Sequence, residues 1–315
     1  MKHRAVSKLL FAWLFFSTAL LADNRLANIS VKNLDKNSFR VTIGDSELDV
    51  LIRDKVLLSK KDRLLDWVGY SAQAVHHYYG RFPVDKLLIK VEVTDGNRVR
   101  FGQAFGGHSP LVRVVVGEDI TADVLRRDWI MVHEMVHLAM ADMPRNQRWV
   151  LEGLATYVES IARAQLGHLS EDFVWNGFLG QMHQGLPASG DKGLDHTPTW
   201  GRTYWGGAMF CLLADVEIRK QSNNRLSLQD ALRGILDAGY SMQSGVDNAL
   251  QIFEAGDRAT GLTVLVDLYN EMRAQPKPDK LDSLWKSLGL SLQDGNVVYD
   301  DSAELAAIRK QMLTP

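Results

Sequence analysis

Residues 133–137 read His-Glu-Met-Val-His, and a further glutamate, Glu152, follows fifteen positions after the second histidine. On a helix, His133 and His137 are four residues apart, so both imidazoles leave from one face and can bind one metal ion. Glu134 lies about 100° round the helix from His133, beside the metal, where a general base is needed. Glu152, from a following helix, would be a third ligand that leaves a fourth position open for water, as in catalytic zinc sites.

The segment around this motif is mostly apolar, from Val124 to Ala141. Two histidines and a glutamate buried in such a helix need polar partners, because burying them unpaired is costly. A buried helix with two hydrogen-bonded histidines is the alternative interpretation. A metal ion satisfies both imidazoles and one carboxylate at once, and nitrogen and oxygen ligands with an open position favour zinc. We therefore predict one zinc ion held by His133, His137 and Glu152, with Glu134 as general base.

Strands precede the motif and helices follow it. Residues 39–52 alternate as a hairpin with a turn at Gly44-Asp45, residues 60–79 have helical periodicity that Gly80 ends, and residues 87–93 and 111–116 read as strands. Thr121 is the predicted N-cap of the helix that carries the motif, and Pro144 ends that helix region before a second helix over about 147–165.

From residue 170 onward the pattern is mainly helical, with a final strand at 296–299 and a Gly/Pro-rich loop at 184–201 that we expect to border the cleft. The predicted fold is α+β. A strand-bearing N-terminal lobe, 23–142, ends in the metal-binding helix, and an all-helical or mainly helical lobe spans 143–315.

Composition excludes some classes of site. The net charge is −2 and no basic run follows the N-terminus, so nothing indicates a nucleic-acid partner. The only cysteine, Cys211, rules out an internal disulfide and reads as a small core residue.

The first 22 residues are typical of a signal peptide: basic residues up to Lys8, an apolar stretch from Leu9 to Leu21, and small residues that allow cleavage after Ala19 or Ala22. No cysteine lies directly after this stretch, where a lipid anchor would be attached. We expect an exported protein, periplasmic or secreted, that touches the membrane only through this segment if it stays uncleaved.

These motifs resemble the gluzincin metallopeptidases, most of all the glycyl aminopeptidase and aminopeptidase N families. Residues 149–157, Trp-Val-Leu-Glu-Gly-Leu-Ala-Thr-Tyr, are similar to their W-x-x-E-G-x-A-x-Y segment, and residues 204–210 resemble their Y-x-K-G-A helix. The resemblance covers roughly residues 85–220. It implies a thermolysin-like catalytic unit and makes Tyr204 the donor to the oxyanion. Tyr157 is the rival for that role, and His183 and His196 are further candidates.

Three departures from the families matter. Only 14 residues separate His137 from Glu152, fewer than usual, which keeps Glu159 as an alternative ligand. Gly206 stands where the families have lysine. The G-x-M-E-N segment, whose glutamate binds a substrate's free amine, is absent: residues 102–109 contain no carboxylate and lead into the predicted edge strand at 111–116.

The sequence therefore predicts zinc-dependent hydrolysis of exported or envelope peptides, either aminopeptidase-like or endopeptidase, with a peptide or protein as substrate. A non-catalytic binding or scaffold protein stabilised by zinc is the alternative. Glu134 argues against it, because a structural site gains nothing from an acid beside the metal.

Overall fold

The computed structural model describes residues 26–277 and 281–314. The predicted signal peptide, residues 1–22, lies outside the described residues. Within them, no helix is both long and apolar enough to cross a membrane.

Six strands form one mixed sheet in the order β1-β2-β3-β4-β6-β5. The first three are an antiparallel meander, β3–β4 and β4–β6 pair in parallel, and β5 returns antiparallel to β6. Their bounds are β1 (Ile29–Asn33), β2 (Ser38–Ile43), β3 (Ser46–Ile52), β4 (Lys86–Thr94), β5 (Val99–Phe105) and β6 (Leu111–Gly117). The predicted hairpin and both predicted strands are confirmed.

The two faces of the sheet differ, as the alternation along β2 and β3 predicts. One face is buried against helices, with the long helix α2 (Lys61–Tyr79) packed on β2. Together with the short helix α1 (Lys55–Leu58), α2 forms the crossover that the parallel β3–β4 pair requires. The other face carries ion pairs such as Arg40–Asp49 and Arg113–Glu92. Gly80 ends α2 with a φ of 77°, as predicted.

The prediction that the strand at 111–116 lies at the edge of the sheet is wrong. Strand β6 has neighbours on both sides, and β5 is the edge that the sheet offers to the helices. The valines of β6 (Val112, Val114, Val116) are buried, as expected of a strand inside the sheet. Strand β5 reads Val-Arg-Phe-Gly-Gln-Ala-Phe, and Gly102 in its middle weakens the pattern by which a strand is recognised. Residues 102–105 are therefore part of the edge strand itself.

The helix predicted to run from Thr121 through the motif is two helices, α3 (Ala122–Arg127) and α4 (Ile130–His137). Thr121 caps α3, and the chain turns extended at Asp128, with φ −62° and ψ 136°. The Asp128 carboxylate then accepts a hydrogen bond from the Met131 N–H at 3.1 Å and so begins α4. Capping by Asp128 therefore divides the mostly apolar segment into two helices where the sequence predicted one.

After a short 3-10 turn at Arg145–Gln147, the rest of the chain is mainly helical, but not all of it. Its helices are α5 (Arg148–Gln165), α6 (Glu171–Gln181), α7 (Gly207–Gln221), α8 (Leu228–Asp237), α9 (Leu250–Thr260), α10 (Val264–Arg273), α11 (Leu281–Leu288) and α12 (Ala306–Met312). Between α11 and α12 lies a hairpin of β7 (Leu290–Gln293) and β8 (Asn296–Tyr299). Strand β8 confirms the predicted strand at 296–299, and its pairing with β7 corrects the description of this lobe as all-helical. The Asp294-Gly295 turn of the hairpin has φ of 52° and 78°, the conformation that Asp-Gly favours in two-residue hairpins.

Candidate metal centre and cleft

Helices α4 and α5 pack together and bring the three predicted ligands to one point. His133, His137 and Glu152 are buried, and their ligand atoms lie within 4.8 Å of one another, the one such group among the described residues. The Glu152 Oε2 atom is 3.3 Å from His133 Nε2 and 3.6 Å from His137 Nε2. Ligands of a tetrahedral zinc with bonds of about 2.1 Å are about 3.4 Å apart. The donor types and spacing therefore fit zinc.

The alternative ligand Glu159 lies elsewhere. It forms an ion pair, at 3.0 Å, with the buried Arg163, which lies one helical turn after Glu159 on α5. The shorter spacer is absorbed by the tight connection through Pro144 and the 3-10 turn, so Glu152 alone reaches the two histidines.

The protonation states suit a metal site. Burial lowers the pKa of His133 to about 4, so the imidazole is neutral near pH 7 and its nitrogen is free to bind. For Glu152, burial acts to raise the pKa, but hydrogen bonding to His133, His137 and Arg148 outweighs it and keeps the carboxylate ionised. Neutral imidazole and ionised carboxylate are the forms that metals bind.

Asp128 and Asp142, the acidic residues on either side of α4, both accept hydrogen bonds from backbone N–H groups. Asp128 is used in starting α4, where burial raises its pKa to about 6, and Asp142 accepts from the Met143 N–H at 3.0 Å. His133 Nδ1 is buried and has no hydrogen-bond partner in the described structure.

A close crossing of α5 and α7 places the next functional segment. A Cβ atom on Gly153 would overlap the backbone of Gly207, and one on Gly207 would overlap the Trp149 carbonyl. Only glycine allows this approach. The five residues before α7, Arg202–Gly206, form a π-helical turn, a feature that often accompanies functional sites.

Tyr204 lies on that π-helical turn and lines the cleft beside the metal site. Its ring is 6.3 Å from the His133 ring and stacks on Trp200 at 5.8 Å. Burial, and then the nearby charge of Glu152, raise the pKa of its hydroxyl, which therefore remains a proton donor near neutral pH.

The rival candidates are placed elsewhere. Tyr157 is fully buried, and its hydroxyl donates to Asp215 Oδ2 at 2.9 Å. His183 and His196 are exposed and do not line the cleft. No residue of the loop at 184–201, predicted to border the cleft, lines it, although Trp200 stacks on the cleft residue Tyr204.

Glu134 is held between the metal site and the edge strand. Its Oε2 atom accepts a hydrogen bond from the Ala104 N–H of β5 at 2.8 Å. The contact requires Gly102, because a Cβ there would lie 2.7 Å from Glu134 Cγ. Burial raises the pKa of Glu134 above its usual value, which makes the carboxylate a stronger base.

These residues line a cleft of about 1170 Å³. One wall is β5 and the residues that follow it, to Gly107; the other is formed by α4, the start of α5 and Tyr204. The sequence did not predict that a loop, Met242–Gly245, would line the cleft as well. Its residues are polar, small or Met, carry no periodic pattern, and lie between helices far along the chain, so no signal pointed to them.

The loop joins the two walls at one end of the cleft. The Gly107 N–H donates to the Met242 carbonyl at 3.1 Å, and the Met242 N–H donates to Leu138, just after α4, at 3.0 Å. Asp142 donates to Ser244 and accepts from Val246, both at 2.9 Å. Backbone hydrogen bonds on both sides thus close this end.

No family model matches the sequence, and no curated protein matches it. Among solved structures, the aminopeptidase N family protein from Idiomarina loihiensis matches 84% of this chain with a TM-score of 0.61 at 13% identity. This chain shares that protein's fold. The M1 zinc metallopeptidase from Deinococcus radiodurans matches 80% of the chain at 11% identity, with a TM-score of 0.45. The chain spans about half the length of these structures, 50% and 53%.

Proposed function

We propose that this protein is a zinc-dependent peptidase built on a thermolysin-like catalytic unit. The observation that carries the proposal is one geometry: two imidazoles and a carboxylate converge with the spacing of zinc ligands, and a second carboxylate, Glu134, stands beside them in an open cleft. A purely structural zinc site would be closed by a fourth protein ligand and would not need that carboxylate. The shared aminopeptidase N fold supports the same reaction class.

Glu134, Tyr204 and the edge strand β5 each have a role in hydrolysis. Zinc, when bound, supplies Lewis acidity that polarises the scissile carbonyl and makes water acidic near neutral pH. Glu134 takes the proton from the attacking water and passes it to the leaving amine, while the Ala104 N–H holds its carboxylate in place. The Tyr204 hydroxyl donates to the carbonyl oxygen as that oxygen gains negative charge. The free edge of β5 offers peptide groups to an extended substrate.

The closed end of the cleft favours action near a peptide terminus. Ala104 is level with the general base, and Gly106 is already in contact with Met242 of the closing loop. An extended peptide beside β5 advances about 3.3 Å per residue, so roughly two residues fit between the base and the loop. We infer an exopeptidase that releases one or two residues.

The first 22 residues bear on where in the cell the protein acts. Their basic start and apolar stretch support export, and we propose exported or cell-envelope peptides as substrates, outside the cytoplasm.

Removal of the metal is expected to abolish peptide hydrolysis. The purified chain should contain about one zinc per molecule, lose activity on dialysis against a chelator, and regain it with added Zn²⁺. His137→Ala should bind no zinc, because two ligands are left, whereas His196→Ala, an exposed histidine off the cleft, should keep zinc and activity. Zinc bound without cleavage of any peptide in a broad mixture would favour the scaffold alternative, and a wild-type chain without zinc affinity would exclude the site.

Blocking peptide ends is expected to separate terminal from internal cleavage. One set of peptides, roughly 6 to 12 residues long, is tested with free, acetylated and amidated ends. Mass spectrometry locates each cut. Cleavage should fall within about two residues of one end, and blocking that end should lower kcat/KM by about tenfold or more. Equal cutting in the middle of doubly blocked peptides would show that the loop does not limit the substrate.

A further inference from the structure

Glu152 uses its two carboxylate oxygens differently. Its Oε2 atom faces both histidines, whereas Oε1 accepts two hydrogen bonds from one guanidinium: Arg148 Nε donates at 2.9 Å and Nη2 at 2.8 Å. Arg148 lies four residues before Glu152 on α5 and lines the cleft. One oxygen is thus directed at the metal position and the other is held away from it.

The energetics of the helix do not explain an arginine at this position. Arg148 is the first residue of α5, where a cation opposes the helix dipole. An arginine four residues before a glutamate is also the less favourable order for a pair on a helix. Its side chain is 63% exposed, so water screens the pair and its contribution to stability is small. A residue that opposes local preferences beside a buried ligand is best explained by the site.

We propose that Arg148 is a positioning residue for the metal ligand Glu152. By holding Oε1, it presents Oε2 alone to the metal and keeps the carboxylate from turning both oxygens inward. The coordination position that Oε1 would otherwise occupy then stays available for water, which hydrolysis requires. The proposal rests on the proposed zinc site, and it concerns metal binding first and cleavage second.

Zinc affinity tests the proposal directly. With the full chain and Zn²⁺ alone as the probe, competition against a chelator should show Arg148→Met weakening the Kd 10- to 100-fold, the usual effect of losing a group that orients a ligand. Arg148→Lys should recover part of the loss, because it keeps the charge without the two-pronged donation. Arg145→Met is the matched control: Arg145 also lines the cleft but forms no ion pair among the described residues, and zinc affinity should not change.

A double-mutant cycle shows whether Arg148 acts through Glu152. The substitution Glu152→Gln weakens zinc binding by itself, and adding Arg148→Met to it should then cost little more. The Co²⁺-substituted proteins give a second measurement: the visible spectrum of Arg148→Met should differ from that of the wild type, and that of Arg145→Met should not. Melting curves of the zinc-free proteins confirm that each variant is folded.

Three results would overturn the proposal. Zinc affinity unchanged in Arg148→Met, with only KM raised, would make Arg148 a substrate contact. Tighter zinc binding in that variant would show that charge repulsion outweighs positioning. The same loss in the presence and absence of Glu152→Gln would show action through another group. A wild-type chain that binds no zinc would contradict the proposed function itself, so failure of the proposed function is distinguishable from failure of the role of Arg148.

Discussion

Glu134→Gln is expected to lower kcat/KM for peptide hydrolysis by about 10²- to 10⁴-fold while zinc stays bound, because proton transfer by a positioned side chain contributes about that much. The amide has nearly the same shape, and its oxygen can still accept the Ala104 N–H, but it cannot take a proton from water. Zinc content and peptide cleavage are measured on the same sample. Glu254→Gln, an exposed glutamate on α9, is the matched control and should keep full activity.

The pH profile gives a second measurement on the same group. Glu134 must be ionised to act as a base, and burial raises its pKa above the usual 4.5. The acid side of the kcat/KM profile should therefore lie above pH 4.5, with activity falling as the pH drops through the raised pKa. The residual activity of Glu134→Gln should lack that acid limb. A variant that cleaves at the wild-type rate, with an unchanged profile, would remove Glu134 from the mechanism.

Tyr204→Phe is expected to lower kcat by about 10²- to 10³-fold with zinc content unchanged, the usual cost of removing one donor from an oxyanion site. The ring can still stack on Trp200, so the loss isolates the hydroxyl. KM should change little, because the donor acts on charge that develops in the transition state.

Tyr157→Phe provides the contrasting control. Its hydroxyl donates to the buried Asp215, so the substitution should lower the free energy of unfolding by about 1–3 kcal/mol and leave kcat of the folded protein near the wild-type value. Chemical denaturation and peptide cleavage on both variants separate the two roles. If Tyr204→Phe keeps its kcat and Tyr157→Phe does not, the assignment of the two tyrosines is reversed.

The sequence predicted those parts of the site that depend on short spacing. His133, Glu134 and His137 lie on one helix, so their relative directions follow from helix geometry alone, and Glu152 needed only the next helix in the chain, α5, to pack on α4. The β2–β3 hairpin, α2 and its Gly80 end were predictable for the same reason. Each depends on a periodic pattern or on a turn residue within a few positions.

Features that depend on distant parts of the chain could not be read in this way. Strand β5 has weak strand character and exists because β6 pairs with it, while Gly102 admits Glu134. The closing loop gains its place from hydrogen bonds to Leu138, Asp142 and Gly107, all more than a hundred residues away along the chain. The break at Asp128 shows a further limit, because one capping carboxylate divides a mostly apolar segment into two helices.

The three candidate metal ligands all lie within residues 133–152, on two helices that are neighbours in the chain. Tyr204 and the loop at 242–245 join them only through long-range packing. Closing a short loop costs less entropy than closing a long one, so we expect the helix pair to form early in folding. A folding chain would then be able to hold zinc before it can cut a peptide, and hydrolytic activity would arise only after Tyr204 and the loop at 242–245 have joined the site.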